Sequence, residues 1–305
     1  MKFAIAIPQF YGDAEFDPAA FRAYLARAEE LGFDSAWTQE KVLGPGAQLS
    51  PVETMTYAAA CTERLRLGCV VFVSTLHNPV HLAKSLSTLD QLSQGRIEIG
   101  VGTGGRARPF PAFGVDPHRY VARFTEGVTV MKALWTEPSV TFHGEFWQLE
   151  NAAMEPKPFQ KPYPRLWFGG ASEPALRRAV RMGDGFFGAG SSPTDKFAEQ
   201  VQIVRAALAE AGRTAGDFPI AKRVYIGMDE DAERARSRMN AALEGIYGYR
   251  VPAIEAAAVT GPAADCVREV SQVAAAGAEL ILFTALFDQR EQMEQLAAAV
   301  LPKVS

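Results

Sequence analysis

The sequence contains few of the side chains that hold metals or form disulfides. It has three cysteines and four histidines in 305 residues. Neither set shows a metal-ligand spacing such as H-E-x-x-H. A sparse, odd set of cysteines indicates reduced thiols rather than a disulfide framework. We therefore expect no dedicated metal site, and we expect a cytoplasmic location.

Long apolar runs and excess positive charge are also lacking. No apolar stretch approaches the roughly 20 residues that a membrane helix needs. The segment Met1–Pro8 is too short for the apolar region of a signal peptide and is more typical of a first strand. The formal net charge is −4, whereas a nucleic-acid binder needs a basic face. Neither a membrane nor a nucleic acid is expected as a partner.

The chain does have a regular alternation of short apolar runs and helical patterns. Eight runs are apolar without alternation, as is typical of parallel strands buried on both faces: Phe3–Ile7, Ser35–Trp37, Leu67–Val73, Ile97–Gly100, Leu166–Phe168, Gly185–Phe187, Ile220–Ile226 and Leu280–Phe283. Eight β/α units predict an α/β fold, a (β/α)8 TIM barrel with loop insertions at the C-terminal rim. Since no low-complexity linker divides the chain, residues 1–305 are predicted to form a single domain.

Three connections exceed ordinary loop length, namely Val101–Arg119, Glu137–Arg165 and Gly245–Gly261. The first follows a predicted strand directly and is the best lid candidate, because barrel active sites are built from the loops after strands. The second includes Val140–Trp147, whose pattern predicts a small hairpin. Plain surface elaboration is the alternative for all three.

The segment Leu89–Gly105 predicts a helix end, a tight turn, a buried strand and a glycine-rich loop. The glycines 100, 102 and 105 fit the dinucleotide pattern G-x-G-x-x-G, but that motif needs a helix to open there. Pro109 and Pro111 make an immediate helix improbable on steric grounds. The glycines either let the backbone meet a flat ring or phosphate, or serve a plain turn.

A second glycine element joins a strand to a helix at Gly169-Gly170-Ala171-Ser172. Backbone N–H groups at a helix start, with the positive end of the helix dipole, can bind a phosphate. The alternative is a tight turn in which Ser172 is an ordinary N-cap.

Polar side chains follow the second and third predicted strands. Glu40 and Lys41 could contact a cofactor ring or relay a proton, or could form a solvated loop ion pair. His77 could contact a substrate, although a loop histidine satisfied by backbone is the favoured interpretation. No Ser-His-Asp or Cys-His arrangement can be argued, so chemistry carried by an organic cofactor fits better.

Several motifs taken together resemble the bacterial luciferase-like superfamily, in particular its oxidoreductase branch that uses the deazaflavin coenzyme F420. The matching segments keep their order over nearly the whole chain: residues 28–37, 62–68, 78–84, 89–104, 156–158, 169–170 and 183–186. The resemblance implies a (β/α)8 barrel that holds a flavin or deazaflavin at its C-terminal rim. It also implies a homodimer.

The resemblance further implies roles for individual residues. Gly102, Thr103 and Gly104 would line the cofactor, and Gly169, Gly170, Ala171 and Ser172 would hold its phosphate. A bulge at Val70-Val71, where family members often have a non-proline cis peptide, would lie behind the ring. From the residues themselves, Glu40 and Lys41 are the candidate catalytic residues, and His77 and Arg106 are the candidate substrate contacts.

One departure affects the expected chemistry. Family members often have an acid followed by histidine at the end of the second strand, and this chain has Glu40-Lys41. Lysine cannot replace histidine as a proton relay near neutrality unless it is buried. The leading hypothesis is hydride transfer between coenzyme F420 and a small organic substrate. The alternatives are an FMN-dependent monooxygenase, supplied with reduced flavin by a reductase partner, and a flavin-binding protein without turnover.

Overall fold

A computed structural model gives the fold and describes residues 1–11, 15–44, 46–104 and 110–304. Its strands, in chain order, are β1 (Lys2–Ala6), β2 (Ser35–Thr38), β3 (Arg66–Val73), β4 (Ile97–Gly102), β5 (Val140–His143), β6 (Gln148–Ala152), β7 (Leu166–Gly169), β8 (Gly185–Gly188), β9 (Ile220–Met228), β10 (Val259–Gly261) and β11 (Leu280–Thr284). Its α-helices are α1 (Pro18–Glu30), α2 (Pro51–Cys61), α3 (Pro79–Leu92), α4 (Tyr120–Thr136), α5 (Glu173–Met182), α6 (Thr194–Glu210), α7 (Ala232–Tyr247), α8 (Pro252–Ala257), α9 (Ala263–Ala275) and α10 (Gln289–Gln295).

All eight predicted strands are present, each shifted by at most two residues at its ends. The predicted hairpin is present but longer than expected, because its second strand, β6, lies beyond Trp147; β5 and β6 are antiparallel, with His143 opposite Gln148. The prediction of a loop over Gly245–Gly261 is wrong in part. There α7 continues to Tyr247 and ends at Gly248 in the left-handed conformation, and α8 then begins at Pro252. Glycine and proline at these positions end one helix and start the next.

The chain contains two compact units. The first comprises Met1–Trp37, the chain from Trp167 onward and a short segment that ends at Gln48. Its strands pair in parallel in the order β7-β8-β9-β11-β1-β2, and β10 adds to the carboxyl-terminal half of β9. Three aromatic rings meet in its core, where Phe187 lies 4.9 Å from Trp37 and 5.5 Å from Trp167 between ring centroids.

The second unit comprises Thr38–Gly44 and Leu49–Leu166. Its parallel pair β3–β4 shifts register between Cys69 and Phe72, and the Val70–Val71 peptide bond in that shift is cis. The bulge and the cis bond implied by the resemblance are therefore confirmed. The predicted turn before β4 is also present, with Gln94 and Gly95 at positive φ.

The helix starts differ in whether a side chain caps them. Asp17 and Asn78 accept hydrogen bonds from the first backbone N–H groups of α1 and α3. Ser50 and Ser172 occupy the same position before α2 and α5, but neither hydroxyl makes a capping hydrogen bond. Among the described residues, no helix combines the length and apolarity needed to cross a membrane. The prediction of one domain over residues 1–305 stays a prediction.

Candidate functional site

A buried carboxylate lies just after β2 in the second unit. The Glu40 side chain is only 4% exposed. Its Oε2 accepts a hydrogen bond from the backbone N–H of Val73 at 2.6 Å, and its Oε1 lies 2.8 Å from Nε2 of His77. The interpretation of Glu40 as part of a solvated Glu40–Lys41 pair is therefore wrong. The carboxylate lies against the end of β3 because both of its oxygens find donors there.

His77 takes its place from the local backbone. One 3₁₀ turn, Ser74–Leu76, follows β3, and the N–H of His77 closes that turn on the carbonyl of Ser74 at 3.2 Å. The ring meets the edge of Phe72 and points Nε2 at Glu40. A histidine satisfied by backbone, the favoured interpretation from sequence, is therefore wrong for the ring. An acid–imidazole pair exists after all, assembled from the ends of two strands.

The arrangement fixes what the imidazole can do. An ionised carboxylate only accepts hydrogen bonds, so Nε2 carries the proton when it faces Glu40. The other nitrogen, Nδ1, is then the basic one in a neutral ring, and it has no hydrogen-bond partner within the described chain. An imidazole held by a carboxylate in this way has the orientation that a general base requires.

Lys41 takes no part in these contacts. Its side chain folds over Gly44, where an added Cβ would lie 2.8 Å from the ammonium nitrogen and would collide with the carbon beside it. Gly44 therefore leaves the room that this side chain fills. The catalytic role assigned to Lys41 stays a prediction.

The glycines at and just after the end of β4 are required by packing. A Cβ on Gly102 would lie 2.7 Å from Val71 Cγ2, and a Cβ on Gly104 would collide with Val73. Gly104 also has a φ of +74°, which favours glycine. The close approach of β3 and β4 thus requires glycine at both positions, independently of any ligand.

The same strand pair leaves apolar surface that a flat ring would cover. Val70, Val71 and Val73 are only half-buried, although they belong to a strand flanked by buried residues. Beside them the Ser74 hydroxyl is buried and has no hydrogen-bond partner in the described part of the chain. Half-covered valines next to an unpaired polar atom fit a ring with an apolar face and a polar edge.

Two further contacts tie the loops after β3 and β4 together. The Thr75 hydroxyl donates to the carbonyl of Thr103 at 3.2 Å, and the Arg123 guanidinium donates to the carbonyl of Thr75, also at 3.2 Å. Arg123 stacks on Trp147 of the β5–β6 hairpin, 4.5 Å from the ring centroid. Thr75 and Arg123 are positioning residues that the sequence did not single out.

The predicted phosphate segment belongs to the first unit. Ser172 stands at the N-cap position of α5 with its hydroxyl unused for capping. Gly170 is needed for packing, because a Cβ there would lie 2.8 Å from the Cβ of Ala175. Phosphate binding at Gly169–Ser172 stays a prediction. Arg106, the other predicted substrate contact, lies outside the described residues.

The dinucleotide hypothesis for Gly100, Gly102 and Gly105 requires a helix that opens at these glycines, and none begins there among the described residues. Strand β4 runs through Gly102, and the next described helical residues are a single 3₁₀ turn at Phe110–Phe113. Gly105 itself lies outside the described residues. In the described part of this segment a strand stands where the motif needs a helix to open.

Comparison with known proteins now decides the family. The model for luciferase-like monooxygenases matches residues 1–301. The chain belongs to this family. An F420-dependent glucose-6-phosphate dehydrogenase of Kineococcus radiotolerans is 31% identical over 230 residues, which are 72% of this chain and 67% of the relative. An FMNH2-dependent dimethylsulfone monooxygenase of Pseudomonas putida is 30% identical over 216 residues, 69% of this chain and 58% of the relative.

Solved structures give the fold of this luciferase-like protein. A monooxygenase from Streptomyces bottropensis matches with a TM-score of 0.86 and 26% identity, covering 100% of both chains. An F420-dependent secondary alcohol dehydrogenase matches with a TM-score of 0.84 and 20% identity, covering 100% of this chain and 99% of the other. The predicted (β/α)8 TIM barrel is confirmed, with an extra strand and loops. The protein is a luciferase-like oxidoreductase.

Proposed function

We propose that this luciferase-like enzyme transfers a hydride between coenzyme F420 and a small organic substrate, in the direction alcohol to carbonyl or its reverse. The observation that carries the proposal is the Glu40–His77 pair, which places a general base in the half-open apolar surroundings of Val70, Val71 and Val73. The 31% identity to a relative named an F420-dependent dehydrogenase supports the choice of cofactor.

The roles of the residues follow from their contacts. When the substrate C–H bond gives up its hydride, Nδ1 of His77 takes the proton of the substrate hydroxyl. Glu40 keeps the ring in the tautomer that leaves Nδ1 basic and stabilises the imidazolium that forms, as the carboxylate of a catalytic triad does. The bound deazaflavin supplies the hydride acceptor.

The cofactor ring is proposed to lie on Val70 and Val71, along the backbone of Gly102-Thr103-Gly104. The half-buried valines would lose their remaining solvent contact, and Ser74 would gain a polar partner. The first turn of α5, with Gly169–Ser172, is proposed to bind a phosphate. The uncapped start of that helix supports this second proposal on its own.

An FMN-dependent monooxygenase is the second candidate. The 30% identity to a relative named an FMNH2-dependent monooxygenase favours it. Such an enzyme would need reduced flavin from a reductase partner and would consume oxygen. A protein without turnover is disfavoured, because that hypothesis rested on a missing histidine and His77 stands beside Glu40.

Cofactor titration tests the proposal. We expect the protein to bind F420 at micromolar concentration and FMN far more weakly. With F420 bound, a panel of alcohols and sugar phosphates that includes glucose 6-phosphate should contain a substrate that bleaches the oxidised deazaflavin. His77→Gln should keep F420 affinity and reduce kcat on the order of a hundredfold. Preferential binding of FMN together with oxygen uptake would contradict the F420 proposal and support the monooxygenase.

A homodimer and a cytoplasmic location complete the proposal. The dimer is proposed from the family resemblance, and light scattering on the purified protein tests its oligomeric state. The three cysteines are free, two of them buried, which is consistent with a reducing compartment.

A further inference from the structure

Strand β9 carries two adjacent cations inside an apolar run. Successive residues of a strand face opposite sides, so Lys222 and Arg223 point in opposite directions and Arg223 shares a face with Tyr225. Lys222 is 2% exposed, and its ammonium donates to the carbonyl of Ala189 near the ring of Phe197. Its role is explained by packing within the first unit, whereas Arg223 is half-buried and open to a ligand.

Arg223 has fewer partners than its charge requires. Its Nε donates to the Thr284 hydroxyl at 3.1 Å, and its guanidinium lies 4.6 Å from the ring centroid of Tyr225. Within the described residues, no carboxylate lies at ion-pair distance, and Nη1 and Nη2 donate to no protein atom. Other arginines of the described chain do pair with carboxylates, among them Arg27, Arg66, Arg119, Arg177, Arg234, Arg238, Arg250 and Arg268.

Two phenols add neutral donors beside this guanidinium. The hydroxyls of Tyr225 and Tyr247 lie 3.0 Å apart. One proton is used within the pair, and the other remains available to a third group. Burial raises the pKa of Tyr247, so its phenol is protonated at neutral pH. The cluster therefore offers the Nη1–Nη2 edge of the guanidinium and a phenol O–H.

A half-buried charge without a counter-ion is costly unless a ligand supplies one. A planar guanidinium with a free edge matches the two oxygens of a carboxylate or a phosphate. We propose that Arg223, together with Tyr225 and Tyr247, binds the oxyanion group of a small molecule. The anion belongs either to the substrate or to the cofactor. Its assignment to a substrate rests on the proposed function, but binding itself does not.

Inorganic phosphate is the probe for the site, with titration calorimetry on the protein free of cofactor as the readout. We expect Arg223→Met to raise the phosphate Kd at least tenfold. Arg268→Met, which removes an exposed arginine paired with Asp265, is the matched control and should change Kd less than twofold. Equal phosphate affinity in wild type and Arg223→Met would overturn the proposal.

Tyr247→Phe keeps the proposal testable if Arg223→Met does not fold. This variant deletes one hydroxyl on a half-buried side chain and should weaken phosphate binding about threefold to tenfold. Unchanged affinity in a folded Tyr247→Phe would remove the tyrosine pair from the site. Because no cofactor or turnover is involved, these results stand apart from the outcome for hydride transfer.

The two sources of the anion give different patterns. If an anionic group of the cofactor binds at Arg223, F420 or FMN abolishes phosphate binding, and Arg223→Met weakens cofactor affinity tenfold or more. If an anionic group of the substrate binds at Arg223, Arg223→Met leaves cofactor affinity unchanged. Phosphate then competes with the substrate and raises KM without changing kcat. Either pattern supports the oxyanion site. Phosphate binding that depends on Arg223 but survives both saturating cofactor and saturating substrate would overturn the assignment of the anion to either of them.

Discussion

Two regions of this protein hold buried charge in opposite ways. At the end of β3, the Glu40 carboxylate has a donor on each oxygen. On β9, two cations stand side by side and neither has a carboxylate partner among the described residues. A charge that is fully satisfied by its own chain acts through its partner, here by aiming His77. A charge that is not satisfied either becomes neutral, as expected for Lys222, or needs a ligand, as proposed for Arg223.

The largest effect is expected at the satisfied carboxylate. In Glu40→Gln the amide nitrogen can donate to Nε2 of His77, which moves the imidazole proton to Nδ1 and removes the base. We expect kcat for hydride transfer to fall on the order of 10³-fold. Glu53→Gln, at an exposed carboxylate of α2, is the control and should leave kcat within twofold. Wild-type turnover in Glu40→Gln would mean that Glu40 does not aim the imidazole.

The second largest effect is expected on protein stability, at Lys222, which has no carboxylate partner among the described residues. Burial, with a smaller contribution from the charge of Arg223, lowers the pKa of Lys222 from 10.5 to about 7. Between these values the unfolded chain binds a proton that the folded protein lacks, so stability falls as the pH decreases from 10.5 and levels off below about 7. Lys222→Met removes this penalty.

At pH 7 we expect Lys222→Met to be more stable than wild type by about 2 kcal/mol, after allowing for the lost hydrogen bond to Ala189. The gain in stability should shrink as the pH approaches 10.5, the pKa of lysine in the unfolded chain. Urea denaturation at neutral and at alkaline pH measures the difference. Lys196→Met, at an exposed lysine, is the control without a pH-dependent gain. An equal gain for Lys222→Met at both pH values would mean that Lys222 is charged in the folded protein.

Glu126 extends the comparison to a carboxylate satisfied by backbone alone. Its oxygens accept from the N–H groups of Glu145, Phe146 and Trp147 at 2.8–2.9 Å, which fixes the turn of the β5–β6 hairpin. Glu126→Gln should cost about 1–2 kcal/mol, because an amide has one acceptor oxygen where the carboxylate has two. Hydrogen exchange at these three amides should accelerate, whereas Glu150→Gln should leave them protected.

The smallest effect is expected where both charges face solvent. Arg177 pairs with Glu173 at 2.8 Å and also with Glu210, and all three side chains are at least 36% exposed. Exposed ion pairs contribute little net stability. Arg177→Gln should leave Tm unchanged within error. A clear drop would show that ion-pair networks, and not burial, dominate the electrostatics of this protein.

The strands were predictable because parallel strands buried on both faces are continuous apolar runs, as at Leu280–Phe283. The α8 and β10 segments were missed because their apolar residues are too few to show a period. Glu40 was found because it follows a predicted strand. His77 was singled out as a possible substrate contact, but its pairing with Glu40 was not predicted, since the two are 37 residues apart in sequence and only the packing of two loop ends joins them.

The glycines at and just after the end of β4, and Arg223, show two other limits of prediction from sequence. Gly102 and Gly104 were predicted to line a cofactor, which stays a prediction. The packing that requires glycine there comes from Val71 and Val73 on the neighbouring strand, which sequence spacing does not reveal. For Arg223 a signal was present, because charged residues rarely occur within a buried strand. Its partners Thr284 and Tyr247 come from distant elements, so the unpaired state of the guanidinium could be recognised only in three dimensions.

The hydrogen bond between Glu40 and His77 has a consequence for redesign. The carboxylate and the imidazole are carried by separate connections, so neither connection alone encodes the proton-transfer function. A chimera that receives only the segment after β2 from a relative with an acid–histidine pair would hold two imidazoles competing for one carboxylate. Grafting only the segment after β3 would leave the carboxylate with one donor. Loop exchange in this barrel should therefore move both connections as a single module.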